Sequence, residues 1–165
     1  MKSARRHESL IPLSREHHHG LMLCLRIRRA LGLPGVDQAV VRETAANAAQ
    51  FFATDLEAHF KAEEEALFPA MEEVSGASEL LSELLAEHRE LEALANRLSD
   101  TEVEALLRTL GQLADLLEAH IRKEERELFP LYESLVDDVA AAEVGDKVKG
   151  VIGDGTSTPV SKPFR

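Results

Sequence analysis

Cysteine is almost missing from this 165-residue chain, where Cys24 is the only one. A lone thiol excludes a disulfide scaffold and any zinc or iron–sulfur site that needs several cysteines. Long apolar runs are missing too. None approaches the ~18–20 residues needed to span a bilayer, so no membrane partner is expected. Positive charge is in deficit, with 19 Lys+Arg against 30 Asp+Glu and a formal net charge of −11. Phosphate binding needs a basic surface, so nucleic acid is excluded as the main partner. Alternating apolar runs rich in β-branched residues, the mark of strands, are also absent. Residues 1–8 carry charges where a signal peptide would begin its apolar stretch, and a soluble, cytoplasmic protein is expected.

What is present points to one globular domain. The length suits a single core, and 44% hydrophobic residues exclude a wholly disordered chain. Charge is uneven: residues 1–36 are net +5 and residues 37–165 net −16. The basic cluster Arg26, Arg28 and Arg29 reads as a solvated helix end, where cations are favoured.

Four long stretches have helical periodicity, divided by short segments rich in Gly, Pro or Ser. The first begins at Leu13-Ser14, with Ser14 as its N-cap, and stops at Gly32-Leu33-Pro34-Gly35. The second starts near Asp37 and carries the stripe Val41, Ala45, Ala48, Phe52, Leu56, His59, Glu63, Ala66. Its regular part is expected to end around Phe68, because Pro69 cannot donate into a helix interior. A short continuation through Val74 could start at Pro69. The third runs from about Ser78 to Leu98 with Leu81, Leu84, His88, Leu91, Ala95 and Leu98 on one face. The fourth follows Ser99-Asp100-Thr101-Glu102, which reads as a capping box. Its stripe is Val103, Leu106, Leu110, Leu113, Leu117, His120, Glu124, and Pro130 interrupts it. Short connections between such helices predict an all-α fold, an up-down-up-down antiparallel four-helix bundle. Residues 1–12 form an N-terminal extension, 13–136 the bundle, and 137–165 a partly mobile tail, aperiodic from about Ala142 onward.

An internal repeat organises the chain. The segment from His59 to Glu72 and that from His120 to Glu133 agree at seven of 14 positions: His, Glu, Glu, Leu, Phe, Pro, Glu. Upstream of each lies a Glu-His pair, Glu16-His17 and Glu87-His88. The chain is thus two helix pairs, each with a histidine on its first helix and His-x-x-x-Glu on its second, an internal two-fold repeat.

His and Glu four residues apart stack on one helix face. His59/Glu63, His120/Glu124 and His88 sit on otherwise apolar stripes, so a bundle would bury them. Buried, unpaired carboxylates cost several kcal/mol each or shift to the neutral form. A pair of cations removes that problem, with imidazoles capping each metal and the carboxylates bridging. Nitrogen and oxygen donors without thiolate suit iron, manganese or zinc.

The reversed order and i,i+4 spacing separate this pattern from the Glu-x-x-His of ferritin-like di-iron bundles. His-x-x-x-Glu twice, each preceded by an isolated helical His, resembles the hemerythrin-like (HHE cation-binding) domain family in its bacterial type, over roughly residues 13–133. The resemblance implies an oxo- or hydroxo-bridged di-iron centre. It assigns His59 and bridging Glu63, His120 and bridging Glu124, and His88 as metal ligands. The first-helix ligand is His17 or His18. His17 continues through Gly20, Cys24, Ile27 and Leu31, as His88 continues through Leu91, Ala95 and Leu98. His18 leads to Arg28, a poorer buried face, yet His18-x-x-Leu21 resembles His88-x-x-Leu91. His19 is left to solvent. Oxygen-carrying members have a fifth histidine one turn after the third-helix ligand, where this chain has Glu92. That residue is either an oxygen ligand or a solvated partner of Arg89.

The function implied is a non-haem di-iron protein that binds dioxygen, an oxygen binder or sensor rather than a dedicated enzyme. Turnover of peroxide or nitric oxide at the same centre, and iron storage or homeostatic sensing, are the alternatives. The partner is a small diatomic ligand, and the protein is a monomer or homodimer. Cys24 reads as a small buried hydrophobe. Leu67-Phe68-Pro69 and Leu128-Phe129-Pro130 are expected to plug the end of the core. Leu56, Leu91 and Leu117 would wall a dry pocket.

Overall fold

The computed structural model describes residues 5–74 and 76–153. These residues are mainly helical, with no strand among them. Helix α1 (Ile11–Leu31) is entered through a tight turn, Glu8–Leu10, and carries Pro12 in its first turn, where a missing N–H loses no helical bond. It starts before the expected Ser14, which is no cap: the Ser14 hydroxyl donates to Glu125 Oε1 at 2.7 Å. Asp37 does cap α2 (Gln38–Phe51), its carboxylate accepting from Ala39 N at 2.9 Å.

The second stretch loses its regular form before Phe68 and continues in the short segment allowed from Pro69, ending at Met71 rather than Val74. A wide turn, Phe52–Leu56, leads into α3 (Glu57–Ala62), a second, Glu63–Leu67, into α4 (Phe68–Met71). In the fourth stretch α6 (Val103–Lys123) passes through the wide turn Glu124–Leu128 into α7 (Phe129–Leu135). Phe68 N–H donates to Glu63 O and Phe129 N–H to Glu124 O, five residues back. Pro69 and Pro130 lack an N–H, and their rings would press on the carbonyls four residues earlier. Widening the preceding turn relieves both conflicts, so each proline bulges its helix without ending it. Such bulges are frequent at functional sites. Here they begin at the two repeat glutamates.

The third stretch is α5 (Ser78–Asn96), closed by the turn Arg97–Ser99. The capping box expected before α6 does not form. Asp100 Oδ1 accepts from Glu102 N at 2.9 Å, while the Ser99 hydroxyl donates back to Asn96 O at 3.1 Å.

Helix α1 packs on α6 and α2, and α5 packs on α6. Between them lie two apolar clusters. One gathers Ile27, Val41, Leu91, Leu110 and Leu113, and the other Leu10, Leu13, Leu67, Leu84 and Phe129. Fully burying such a side chain contributes roughly 1.5–3 kcal/mol each. A residue at the His and Glu positions of the stripes contributes nothing of the kind.

The aperiodic tail expected from about Ala142 is corrected over its first part. Asp138–Ile152 forms α8, capped by Asp137 and burying Ala141, Val144, Gly145 and Val148. Its buried face is built of small residues, which carry little periodic signal. A Cβ on Gly145 would stand 3.3 Å from Ser9 Cβ, so this glycine lets the Glu8–Leu10 turn lie close against α8. The mobility expected of the chain's end falls on residues 154–165, outside the described residues. No described helix is long and apolar enough to cross a membrane.

Candidate metal centre

Six of the seven residues singled out in the sequence meet between the two apolar clusters: His17, His59, Glu63, His88, His120 and Glu124, each at most 3% exposed. His18, the seventh, does not join them. One residue turns a helix by about 100°, and His18 lies exposed while His17 faces inward. His19 is half-buried and also outside the cluster.

The six residues form two overlapping groups of potential ligands, His17, His59, Glu63, Glu124 and Glu63, His88, His120, Glu124. Within each group the donor atoms lie within 4.8 Å of one another. His17 Nε2 is 2.9 Å from Glu124 and 3.5 Å from Glu63. His59 Nε2 is 2.9 Å from Glu63. On the other side His88 Nε2 is 3.2 Å from Glu63, His120 Nε2 is 3.3 Å from Glu124, and these two nitrogens are 3.1 Å apart. Both glutamates thus present oxygens to both pairs of imidazoles.

The other ring nitrogen of every histidine meets a carboxylate. His17 Nδ1 is 2.8 Å from Glu125, His59 Nδ1 2.7 Å from Glu16, His88 Nδ1 2.8 Å from Glu64, and His120 Nδ1 2.7 Å from Glu87. An ionised carboxylate only accepts, so each Nδ1–H donates and each Nε2 is left to point inward. These four outer glutamates were not foreseen. They had a signal: each is the chain neighbour of a cluster residue, in Glu-His twice and Glu-Glu twice, and each orients a histidine of a different helix. Glu16 of α1 serves His59, Glu64 serves His88 of α5, Glu87 of α5 serves His120 of α6, and Glu125 serves His17.

Electrostatics follow from this double layer. Burial acts to lower His17, but Glu124, Glu125 and Glu63 outweigh it and hold the imidazole well above its ordinary value. Burial is likewise overcome at His59, raised to about 9 by Glu63 and Glu16, and at His120, raised to about 10 by Glu124 and Glu87. Glu63 is pulled well below its usual range despite burial, by the charge of His59 and the nearness of the His17, His59 and His88 imidazoles. Glu124 is lowered too: burial and the Glu63 charge oppose ionisation, and His120 and His17 prevail. Glu125 falls to about 2 against its own burial, through His17 and Ser14. Without a cation, protons on imidazole balance the buried carboxylates.

Aromatic rings close the layer. Phe60 stacks on His88 with centroids 4.0 Å apart, and Phe68 on the same imidazole at 5.5 Å. Phe129 stacks on His17 at 5.3 Å. The Leu-Phe-Pro motifs therefore do more than plug the core end, since their phenylalanines lie against imidazoles. Leu56, Leu91 and Leu117 are buried in the adjoining apolar cluster. Glu92 stays out of the centre, paired with Arg89 at 2.9 and 3.0 Å. Cys24 is buried, and desolvation pushes its thiol up to about 11, so it is inert as a nucleophile. The Tyr132 hydroxyl lies 3.0 Å from Ser9 Oγ, away from the cluster.

Whether these residues fit a metal is decided by the buried polar atoms. His17 Nε2 and all four oxygens of Glu63 and Glu124 are buried without a hydrogen-bond partner. Orphaned acceptors in a dry layer cost about 1–3 kcal/mol each unless something positive satisfies them. A sulfur-free set of imidazole nitrogens and carboxylate oxygens suits a divalent or trivalent transition metal. The fit is good: fold and site define a helical bundle with a buried His/Glu cation-binding cluster. The family model described as the hemerythrin HHE cation binding domain matches residues 12–132, and the chain belongs to that family. No curated protein and no solved structure matched the chain in the other two comparisons.

Proposed function

We propose that the cluster holds an oxo- or hydroxo-bridged di-iron centre that binds dioxygen or a related small diatomic molecule, as an oxygen binder or sensor. In this reading His17 and His59 hold one iron, His88 and His120 the other, and Glu63 and Glu124 bridge the two. The four helical segments run up-down-up-down and antiparallel, related in pairs by the internal repeat, and the protein works in the cytoplasm as a monomer or homodimer. The observation that carries the reading is the set of five unpartnered buried atoms at the meeting point of four inward-facing imidazoles.

Iron held there would supply redox chemistry and Lewis acidity toward a small ligand. The chain's residues do the rest. Glu16, Glu64, Glu87 and Glu125 fix each imidazole through Nδ1–H, so no ring has to rotate when a ligand arrives. Leu56, Leu91 and Leu117 keep bulk water from the layer. Glu92 is paired with Arg89 outside the cluster, so its position lends no support to peroxide or nitric oxide turnover.

An anaerobic optical titration tests this. Apo protein loaded with Fe(II) is exposed to air and then freed of oxygen. Near-ultraviolet and visible bands that appear with air and fade on deoxygenation are expected. Bands that persist would move the assignment to peroxide, nitric oxide or iron-handling chemistry, and two bound irons with no bands would sink the di-iron centre.

A further inference from the structure

The outer glutamates that serve His88 of α5 and His17 of α1 are not supported alike. Glu64, which orients His88, is ion-paired with Arg89, the residue immediately after that histidine. The repeat counterpart of Arg89 is His18, which is exposed and forms no such pair among the contacts described. The cation on Glu125 comes instead from Arg6, outside the residues that the family model matches.

Arg6 is held in place by more than one contact. Its Nη2 donates to Glu125 Oε2 at 2.5 Å and to the Glu125 carbonyl at 3.3 Å, and its Nη1 donates to Glu133 Oε1 at 3.0 Å. Its guanidinium carbon stands 5.1 Å from the centroid of Phe129, the ring stacked on His17. The Glu125 carboxylate is thereby fully engaged, Oε2 by Arg6 and Oε1 by the Ser14 hydroxyl and His17 Nδ1. The strap that carries Arg6 is anchored independently of the metal layer. His7 N donates to Glu133 Oε1 at 3.0 Å, Ser9 Oγ meets Tyr132 OH at 3.0 Å, and α8 packs on the Glu8–Leu10 turn.

We propose that Arg6 is a positioning residue for the metal centre: the guanidinium fixes the Glu125 carboxylate and the Phe129 ring, and through them sets the direction of His17 Nε2. The terminal cap built from residues 5–10 and α8 is then a working part of the His17/His59 half of the site. A bidentate arginine suits this, since its planar fork spans two carboxylates and covers an aromatic face, which lysine does not do. The inference rests on a cation being held at the cluster, whatever ligand that cation then takes.

The test uses the full chain with Zn(II), a diamagnetic probe, and reads two quantities: zinc affinity by competition with a chromophoric chelator, and the histidine ring nitrogens by NMR. In the wild-type chain zinc is expected to shift Nε2 of all four cluster histidines. In Arg6→Gln the weaker of the two zinc equivalents is expected to lose about tenfold in affinity, the low end of what losing an outer partner costs. The His17 Nδ1–H resonance moves, while those of His88 and His120 stay. Arg6→Lys recovers part of the affinity. Glu133→Gln, which touches Arg6 and not the cluster, shifts the same resonance by less, and serves should Arg6→Gln fold poorly. Unchanged affinity and an unmoved His17 resonance in both variants would overturn the role of Arg6. So would an equal shift of all four histidines with a lower melting temperature, since that marks general loosening. Wild-type ring nitrogens that ignore zinc would overturn the centre itself, and the role of Arg6 with it.

Discussion

The two halves of the repeat build the same polar layer and surround it differently. At the cluster they match residue for residue: His17 with His88, His59 with His120, Glu63 with Glu124, and the outer pairs Glu16 with Glu87 and Glu64 with Glu125. One turn further along the histidine-bearing helix, Gly20 stands where the other half has Leu91. A Cβ on Gly20 would stand 2.8 Å from Ile121 Cδ1, whereas Leu91 is a fully buried core residue. Ile121 is in turn the counterpart of Phe60, which lies flat on His88. His88 is thus stacked by two rings, Phe60 and Phe68, and His17 by Phe129 alone. Residues that meet the cation are held to one pattern by its chemistry. Those around it are free to differ in size, and Gly20 and Ile121 stand where the other half has the larger Leu91 and Phe60.

The largest effect comes from the shared part. Glu63→Ala or Glu124→Ala removes oxygens that both halves use, and each is expected to weaken both cations by more than about 100-fold, beyond the cost of losing an outer partner. Metal stoichiometry after dialysis checks this. Loss of one cation with the other retained would mean that the halves bind independently.

Next come the positions where the halves diverge. Leu91→Ala should destabilise the protein by about 3 kcal/mol, the middle of the range for truncating a buried leucine. Gly20→Ala should change stability by no more than about 1 kcal/mol, because better helix propensity offsets the displacement of the flexible Ile121 terminus. Urea unfolding of the two variants measures the contrast, and equal losses would show that the packing asymmetry carries no energetic weight.

The mildest expected effect concerns pH. In the metal-free chain His59 and His120 are raised to about 9 and about 10, above the ordinary value of 6.5. A raised folded-state value gives stability that is fully present below about pH 6.5 and lost as pH climbs through 9 to 10. Cations displace those protons, so zinc affinity should rise with pH from 6 to 9 and the melting temperature of the loaded chain should fall less over pH 8–10 than that of the apo chain. Parallel pH profiles for loaded and metal-free protein would contradict this.

Much of this centre is legible in the sequence, because periodicity and repetition are strong signals. Stripes of Leu and Ala marked which face of each helix goes inward, and the odd polar residues on those stripes are the ones that converge. Adjacent histidines defeat the same signal, since His17 and His18 each continue into apolar residues and only packing distinguishes them. The outer glutamates are hidden for a related reason: an acid beside a core residue reads as solvent-facing, and its reach to a neighbouring helix is a tertiary fact. Helix α8 escaped because Ala141 and Gly145 bury little area, whereas Pro69 opens the short continuation that its sequence allowed, and the wider turns before Pro69 and Pro130 left no signal in the stripes.

The outer glutamates also have a direction. Each helical segment lends its carboxylate to the histidine of the next, first to second, second to third, third to fourth, and fourth back to first. Apolar stripes would tolerate the helices arranged around the core in either circular sense, or one helix slipped by a turn. A one-way circuit of hydrogen bonds does not, because sliding one member breaks two links and reversing the order breaks all four, stranding their charges in a dry layer. The circuit that aims the ligands therefore also tells the chain which way round to fold.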